Sequence, residues 1–254
     1  GGAPGMKQLW YAFWMCWGMF CGVPCPVRVW DEEARPAMLC VLPVLGGVIG
    51  GGWALAAWLC GALALPPLVR GAVLCAVPWL LSGCIHLDGF LDCCDAIFSR
   101  RDLETRQRIL KDSHVGSFAV IGMVLLALLQ TALLAEAQTL PLLPLALLPA
   151  AVRACAAMAV TAMKKLGHSE YAGLSANKRQ LARRLWFPAI CLLLCIALPP
   201  VLCGRAGLAP LAGAAGYGLA AAYASRQLGG ISGDGSGFAL TVGELCGVAA
   251  LTLL

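Results

Sequence analysis

The sequence predicts an all-α, polytopic integral membrane protein with roughly six to eight transmembrane helices. Of its 254 residues, 60% are hydrophobic and only 12% are charged, about half the charged fraction of a soluble domain. The mean hydropathy is +0.82. A chain of this composition cannot cover itself with polar residues, so lipid must solvate much of its surface.

The amino-terminal part of the chain is rich in aromatic residues and contains two prolines. Residues 6–27 are interrupted by Pro24 and Pro26, and we interpret them as an interfacial or re-entrant helix, with a full span left open. Residues 1–5 are interpreted as extra residues before a natural start at Met6. The whole chain, 1–254, is expected to form a single membrane-embedded domain.

Apolar segments fill most of the remaining chain. In the first of them, Gly46 and Gly50 are expected to loosen the helix or to let a neighbouring helix approach closely. The candidate spans are 36–65, 68–87, 115–135, 140–163, 185–203, 208–224 and 238–254.

Three polar segments separate these spans: 88–113, 164–184 and 225–237. The first two carry clusters of Arg and Lys, which the positive-inside rule assigns to the cytoplasmic side. Two spans separate each polar segment from the next, so all three are expected on that side. The protein is thus predicted to be a multi-pass protein of the cell (inner, cytoplasmic) membrane with active-site loops on the cytoplasmic face. The net charge of +5 is explained by this topology and does not indicate nucleic-acid binding.

The first polar segment begins with an acidic cluster. Asp88, Asp92 and Asp95 are spaced i, i+4, i+7, which places them on one face of a helix. Such carboxylates repel one another unless a cation lies among them, and hard oxygen ligands suit Mg²⁺ bound together with substrate phosphates. Gly89 leaves room for a ligand or another backbone. His86 is a candidate to bond a carboxylate, contact phosphate or transfer a proton; the alternative for the cluster is a solvated acidic helix end.

A second candidate group is Lys111-Asp112-Ser113. Lys111 offers a positive charge to phosphate and Asp112 adds a fourth carboxylate. The alternative is that Asp112 or Ser113 simply caps the next helix. Arg153 lies inside an apolar span and is a candidate to reach an anionic ligand, with snorkelling or pairing to an acid as the alternative.

The third candidate group is the glycine-rich stretch 229–237. Gly229, Gly230 and Gly233 expose backbone N–H groups of the kind that bind phosphate. Asp234 is a candidate to bind metal or a ribose hydroxyl. Taken alone, the stretch also fits a flexible loop with an aspartate turn.

Together these motifs resemble the cobalamin synthase family, adenosylcobinamide-GDP ribazoletransferases. The family's patterns HLDGLxDxxDG, (L/M)(K/R)DSxxGxxG and GGxTGDxxGA appear here at residues 86–95, 109–116 and 229–237. The sequence departs from these patterns at Ala96, where Gly is usual, at Ser232, where Thr is usual, and at His114, where Arg is common. No departure removes a carboxylate.

The resemblance implies the reaction and the roles. A ribose hydroxyl of α-ribazole, or of its 5′-phosphate, attacks the phosphorus of adenosylcobinamide-GDP nearer the corrinoid, and GMP leaves. Mg²⁺ is the implied cofactor, with Asp88, Asp92 and Asp95 as metal ligands. Lys111, Arg100 and Arg153 are expected to balance charge on GMP. A carboxylate or His86 takes the proton, and residues 229–234 bind phosphate or nucleotide. The protein is expected to be embedded in membrane lipid. Formation of a homo-oligomer, or association with other cobalamin-assembly enzymes, is left open.

Three other classes share part of this pattern. CDP-alcohol phosphotransferases have two aspartates before the glycine, whereas His86 and Asp88 precede Gly89. Aspartate-rich prenyltransferases need a second Asp-rich motif, and the glycine-rich stretch offers Asp234 alone. An ion-coupled transporter places its acids near the bilayer midplane in broken helices, whereas these acids follow the end of a predicted span.

Overall fold

The computed structural model describes residues 5–137, 139–166 and 178–254. This part of the chain is helical and contains no β-strand, only an isolated parallel bridge between Lys165 and Ile231, so the all-α prediction is confirmed. The helices are α1 (Met6–Phe20), α2 (Met38–Ala62), α3 (Pro67–Leu81), α4 (Ile85–Phe98), α5 (Leu103–Ile109), α6 (Ser117–Glu136), α7 (Leu142–Ala162), α8 (Lys178–Cys203), α9 (Ala209–Leu228) and α10 (Gly233–Leu253), with 3-10 helices at Arg35–Ala37 and Gly204–Leu208.

Helices α2 and α7 form the centre of the bundle. Their backbones touch because α2 carries glycine at the crossing: a Cβ on Gly46 would lie 2.6 Å from the Pro149 carbonyl oxygen, and one on Gly50 would clash with Ala146. Of the two expected uses of these glycines, close approach of a neighbour is therefore the correct one.

The span predicted at 68–87 is broken. Helix α3 ends at Leu81, and Gly83 and Cys84 follow in the left-handed region with φ of +65° and +61°. Helix α4 then leaves at 97° to α3. The backbone N–H of Gly22 donates to the Leu81 carbonyl oxygen (2.8 Å), so the segment after α1 stabilises the bend. The sequence 88–113, expected to be a polar loop, is largely helical as α4 and α5.

Five stretches of the described chain are long and apolar enough to cross a membrane, or six if the bent pair α3–α4 counts as one span. The longest, Leu185–Leu228, has 44 residues, which at 1.5 Å per residue is about twice the length that one crossing needs. The 3-10 helix Gly204–Leu208 interrupts it, at the boundary expected between two spans. The protein is therefore a multi-pass membrane protein.

The last two helices form a tight hairpin. Gly229 ends α9 with φ of +85°, the conformation typical of a helix C-terminus. Ser232 caps α10, where its Oγ accepts a hydrogen bond from the Gly235 N–H (3.0 Å). The loop predicted over 225–237 is thus reduced to four residues, and Asp234 lies in the first turn of a helix rather than in a flexible loop.

Candidate active site

The acidic cluster lies on α4, as its spacing predicted. Asp88 is exposed, whereas Asp92 and Asp95 are half-buried. A further carboxylate, Asp234 from the start of α10, acts electrostatically on Asp92 together with Asp88 and Asp95. The structure therefore brings the first and third sequence motifs together, although they are far apart along the chain.

Gly89 makes this meeting possible. A Cβ at Gly89 would lie 2.8 Å from the Cα of Asp234 and 2.9 Å from its carbonyl oxygen. One turn further along α10, a Cβ at Gly237 would lie 3.1 Å from the His86 carbonyl oxygen. Another backbone, rather than a ligand, thus occupies the space that Gly89 leaves, and the close crossing positions Asp234 over the acidic face.

Asp95 has a structural role that the sequence did not predict. Its Oδ2 accepts a hydrogen bond from the Gly116 N–H (2.6 Å), and its Oδ1 accepts one from the Ala119 N–H (2.9 Å). These are N–H groups at the start of α6, which has no intrahelical partners for them. A Cβ at Gly116 would lie 2.6 Å from Asp95 Oδ1, so glycine is needed there. The alternative that Asp112 or Ser113 caps α6 is wrong: the capping carboxylate comes from α4.

Lys111, Asp112 and Ser113 form an exposed turn between α5 and α6. The Asp112 Oδ1 lies 2.6 Å from Nδ1 of His114 and accepts a hydrogen bond from the His114 N–H (3.0 Å). The contact with the His114 side chain, and to a smaller extent the bond from the His114 N–H, hold the pKa of the Asp112 carboxyl below its usual range. Lys111 lines a cavity that Asp234 also lines, so the second motif joins the first and third at the same end of the bundle.

Backbone hydrogen bonds hold the glycine-rich stretch against the other polar segments. The Ile231 N–H donates to the Lys164 carbonyl oxygen (2.8 Å), and the Leu166 N–H donates to the Ile231 carbonyl oxygen (3.0 Å). A Cβ at Gly230 would lie 2.7 Å from the Leu166 nitrogen. Gly233 begins α10 and lines the cavity. The expected convergence of the polar segments is therefore observed; the part of the basic segment after residue 166 lies largely outside the described residues.

The cavity has a volume of about 370 Å³ and lies between α1, α2, α4, α7 and α10. His86 lines it, and the imidazole is stacked on Phe20 with ring centroids 5.9 Å apart and planes 17° apart. The Nδ1 atom of His86 is buried and has no hydrogen-bond partner among the residues that the structure describes. At about 100° per residue, His86 projects 120° or more around α4 from each of the three aspartates.

Arg153 is paired with an acid, which was the alternative interpretation. Its guanidinium donates to Oε1 of Glu244 on α10 at 2.8 Å, and both side chains are buried, with exposures of 1% and 6%. The pair connects α7 to α10 inside the apolar region. Arg100 lies apart from it: this residue is exposed, just beyond α4, with φ of +53°.

Two functional features were absent from the sequence prediction. Glu244 had a usable signal, because an acid in one apolar span and Arg153 in another suggest a pair. No sequence signal identifies Phe20, because it is one of many aromatic residues in α1 and nothing in the sequence indicates that it lines a cavity.

The donor chemistry at this end of the bundle fits Mg²⁺. Asp88, Asp92 and Asp234 offer only carboxylate oxygens, the ligands that this ion prefers. Among the described residues, no group of three or more acidic, His or Cys side chains is arranged to hold a metal ion by itself. A partial set is the usual form for Mg²⁺, because water and substrate phosphates complete its coordination.

Fold and site together define a multi-pass membrane protein with a carboxylate-rich site, flanked by a lysine and a helix N-terminus, of the kind that handles phosphate-bearing substrates. Residues 12–252 match the family model described as cobalamin-5-phosphate synthase. The adenosylcobinamide-GDP ribazoletransferase of Clostridium botulinum (strain Alaska E43 / Type E3) is 32% identical over 254 residues, which cover 98% of this chain and 99% of the relative.

A protein of the same name from Clostridium perfringens (strain ATCC 13124) is 42% identical over 127 residues, covering 50% of this chain and 51% of the relative. No solved structure matches this chain. The chain belongs to the cobalamin-5-phosphate synthase family. This confirms the resemblance drawn from the motifs and sets aside the phosphotransferase, prenyltransferase and transporter alternatives.

Proposed function

We propose that this protein transfers the adenosylcobinamide-phosphate group of adenosylcobinamide-GDP to a ribose hydroxyl of α-ribazole or of its 5′-phosphate. The products are adenosylcobalamin, or its 5′-phosphate, and GMP. The observation that carries the proposal is the family match over residues 12–252, joined to the meeting of all three motifs at one end of the bundle.

The reaction forms one phosphorus–oxygen bond and breaks another. The ribose oxygen attacks the phosphorus nearer the corrinoid, the bond to GMP breaks, and the hydroxyl proton passes to a side chain. Sequence alone left the acceptor open between a carboxylate and His86. The position of Asp92 beside Asp234, with His86 projecting elsewhere, supports a carboxylate.

Charge balance explains the remaining residues. A pyrophosphate needs positive charge and N–H donors around it as negative charge moves to the leaving group. Lys111 at the cavity is proposed to contact the departing GMP, and Arg100, exposed just beyond α4, is a further candidate cation. The start of α10, with Gly233 in its first turn, supplies backbone N–H groups to a phosphate.

Mg²⁺ is proposed as the cofactor, held by Asp88 and Asp92 with Asp234 facing them. When bound, the ion would polarise the pyrophosphate and neutralise its charge. The carboxylates otherwise repel one another, so a cation also relieves a cost that the fold creates.

The proposal is tested with purified protein in lipid nanodiscs. Adenosylcobinamide-GDP, α-ribazole and Mg²⁺ are added, and GMP and adenosylcobalamin are measured by chromatography. We expect equal amounts of both products, loss of turnover with EDTA, and recovery with excess Mg²⁺. Absence of both products, under conditions where a Clostridium relative is active, would overturn the assignment.

A further inference from the structure

The cavity lined by His86, Lys111 and Asp234 has two chemically different parts. Its wall is mostly apolar and is formed by side chains of five helices, among them Met19, Leu39, Leu42, Val160 and Leu240. Polar groups gather where α10 begins and where the α5–α6 turn reaches the cavity, at Ser232, Asp234, Ser236 and Lys111. The volume of about 370 Å³ lies within the range of pockets that bind small molecules.

The apolar part holds a pair of parallel rings. Phe20 at the end of α1 and His86 at the start of α4 are stacked at 17° with centroids 5.9 Å apart. Such a surface favours a flat aromatic ligand. Within the described part of the chain the buried Nδ1 of His86 has no hydrogen-bond partner, and an unpaired buried nitrogen is costly unless a ligand or water satisfies it.

We propose that this cavity binds the benzimidazole base of α-ribazole, so that the base stacks on Phe20 beside the His86 ring and its ribose points to Asp234. This rests on the proposed function and assigns the acceptor nucleoside to its subsite. In the nucleoside, one ring nitrogen is bonded to ribose and the other is a free acceptor. The Nδ1–H of His86, which is buried in this structure, becomes the matching donor when the imidazole turns toward the cavity.

The alternative occupant is the guanine of the other substrate. Guanine carries several donors and acceptors on its edge, and an apolar wall would leave most of them unpaired. A methylated benzimidazole has a single free acceptor and an otherwise apolar edge, which fits this wall. His86 thus acts as a specificity-determining residue for the base rather than as a metal or phosphate ligand.

Two substitutions test the contact with the Phe20 ring and the contact with the His86 nitrogen one at a time. Phe20→Leu removes the ring and keeps an apolar side chain; His86→Phe keeps a ring and removes the nitrogen. We expect the KM for α-ribazole to rise about tenfold for Phe20→Leu and roughly three- to tenfold for His86→Phe. The KM for adenosylcobinamide-GDP should stay within about twofold. Phe13→Leu, on the same helix but outside the cavity lining, is the matched control and should change neither constant.

Equilibrium dialysis of α-ribazole against the protein without the second substrate tests the same subsite independently of turnover. Wild type should bind and Phe20→Leu should bind about tenfold more weakly. If the ring variants misfold, judged by size-exclusion chromatography, Ala156→Leu narrows the cavity from α7 and should weaken binding in their place. If wild type binds α-ribazole but makes no product, the proposed function fails while the subsite stands.

Two results would overturn the subsite. One is an unchanged α-ribazole KM and affinity in folded Phe20→Leu, His86→Phe and Ala156→Leu. The other is a raised KM for adenosylcobinamide-GDP with an unchanged KM for α-ribazole, which would place the guanosine half in the cavity. Either outcome leaves the overall reaction intact if wild type still forms GMP.

Discussion

Asp92 is the carboxylate on which the other charges of the site act. It is half-buried, and Asp88, Asp95 and Asp234 lie within electrostatic reach. Substitution Asp92→Asn removes one charge but keeps the size and shape of the side chain. We expect kcat to fall about 100-fold or more, because the proposed Mg²⁺, which would offset the negative charge of the transition state, loses a carboxylate ligand. The measurement is GMP release at saturating substrates.

The control for this substitution is Asp102→Asn. Asp102 caps α5 by accepting the Thr105 N–H at 3.0 Å, and Asn is about as good a cap as Asp. Activity and thermal stability should therefore be retained. Full activity of Asp92→Asn would remove Asp92 from the proposed chemistry.

Asp95 differs from Asp92 although both belong to the same motif. It accepts two N–H groups at the start of α6, so Asp95→Ala should lower the free energy of unfolding by about 1–2 kcal/mol. Asp92→Ala should leave stability unchanged or raise it, since it relieves repulsion. Thermal unfolding of both variants in the same detergent measures the difference. Equal stability of the two variants would argue against the capping role.

At the scale of elements, the crossing of α4 and α10 determines the geometry of the site. A Cβ at Gly89 would meet the Asp234 backbone at 2.8 Å, and backbone cannot rotate away as a side chain can. We expect Gly89→Ala to force the helices apart and to lower kcat/KM about tenfold or more, since small displacements of catalytic groups are costly. Steady-state kinetics measure the loss.

Gly47→Ala is the matched control for Gly89→Ala. A Cβ at Gly47 has nothing within 4 Å, so the substitution should keep activity and slightly stabilise α2. If both variants were equally active, the close crossing would not matter for the site.

Helix identity and the grouping of charged residues followed from the sequence, because periodicity and hydropathy report them directly. The break between α3 and α4 did not, since the Gly22 N–H stabilises it from a distant part of the chain by donating to the Leu81 carbonyl oxygen. The same holds for Asp95, whose partners lie more than twenty residues away. Local patterns give the residue types on a helix face, whereas tertiary contacts show that one of them, Asp95, caps another helix.

At the scale of the whole molecule, the position of the site relative to the membrane is open to test. The basic residues of α5 predict that this end of the bundle faces the cytoplasm. With the exposed Cys84 replaced by Ser, Arg108→Cys should react with a membrane-impermeant maleimide in inside-out vesicles. It should be protected in right-side-out vesicles.

A cysteine at Leu63, exposed in the turn after α2, serves as the comparison for this labelling. Helix α2 lies between Leu63 and the segment that precedes α2. The side from which a cysteine at Leu63 is labelled therefore reports on the crossing made by α2. Labelling of Arg108→Cys only from the outside would reverse the proposed topology.

The buried pair of Arg153 and Glu244 also constrains how the molecule is made. An arginine inside an apolar helix is costly until its charge is neutralised, and its partner is synthesised 91 residues later. We therefore expect Arg153 of α7 to be fully stabilised in the membrane only once α10 brings Glu244 to it. The helix that carries Asp234 to the site is also the one that neutralises the buried arginine of α7.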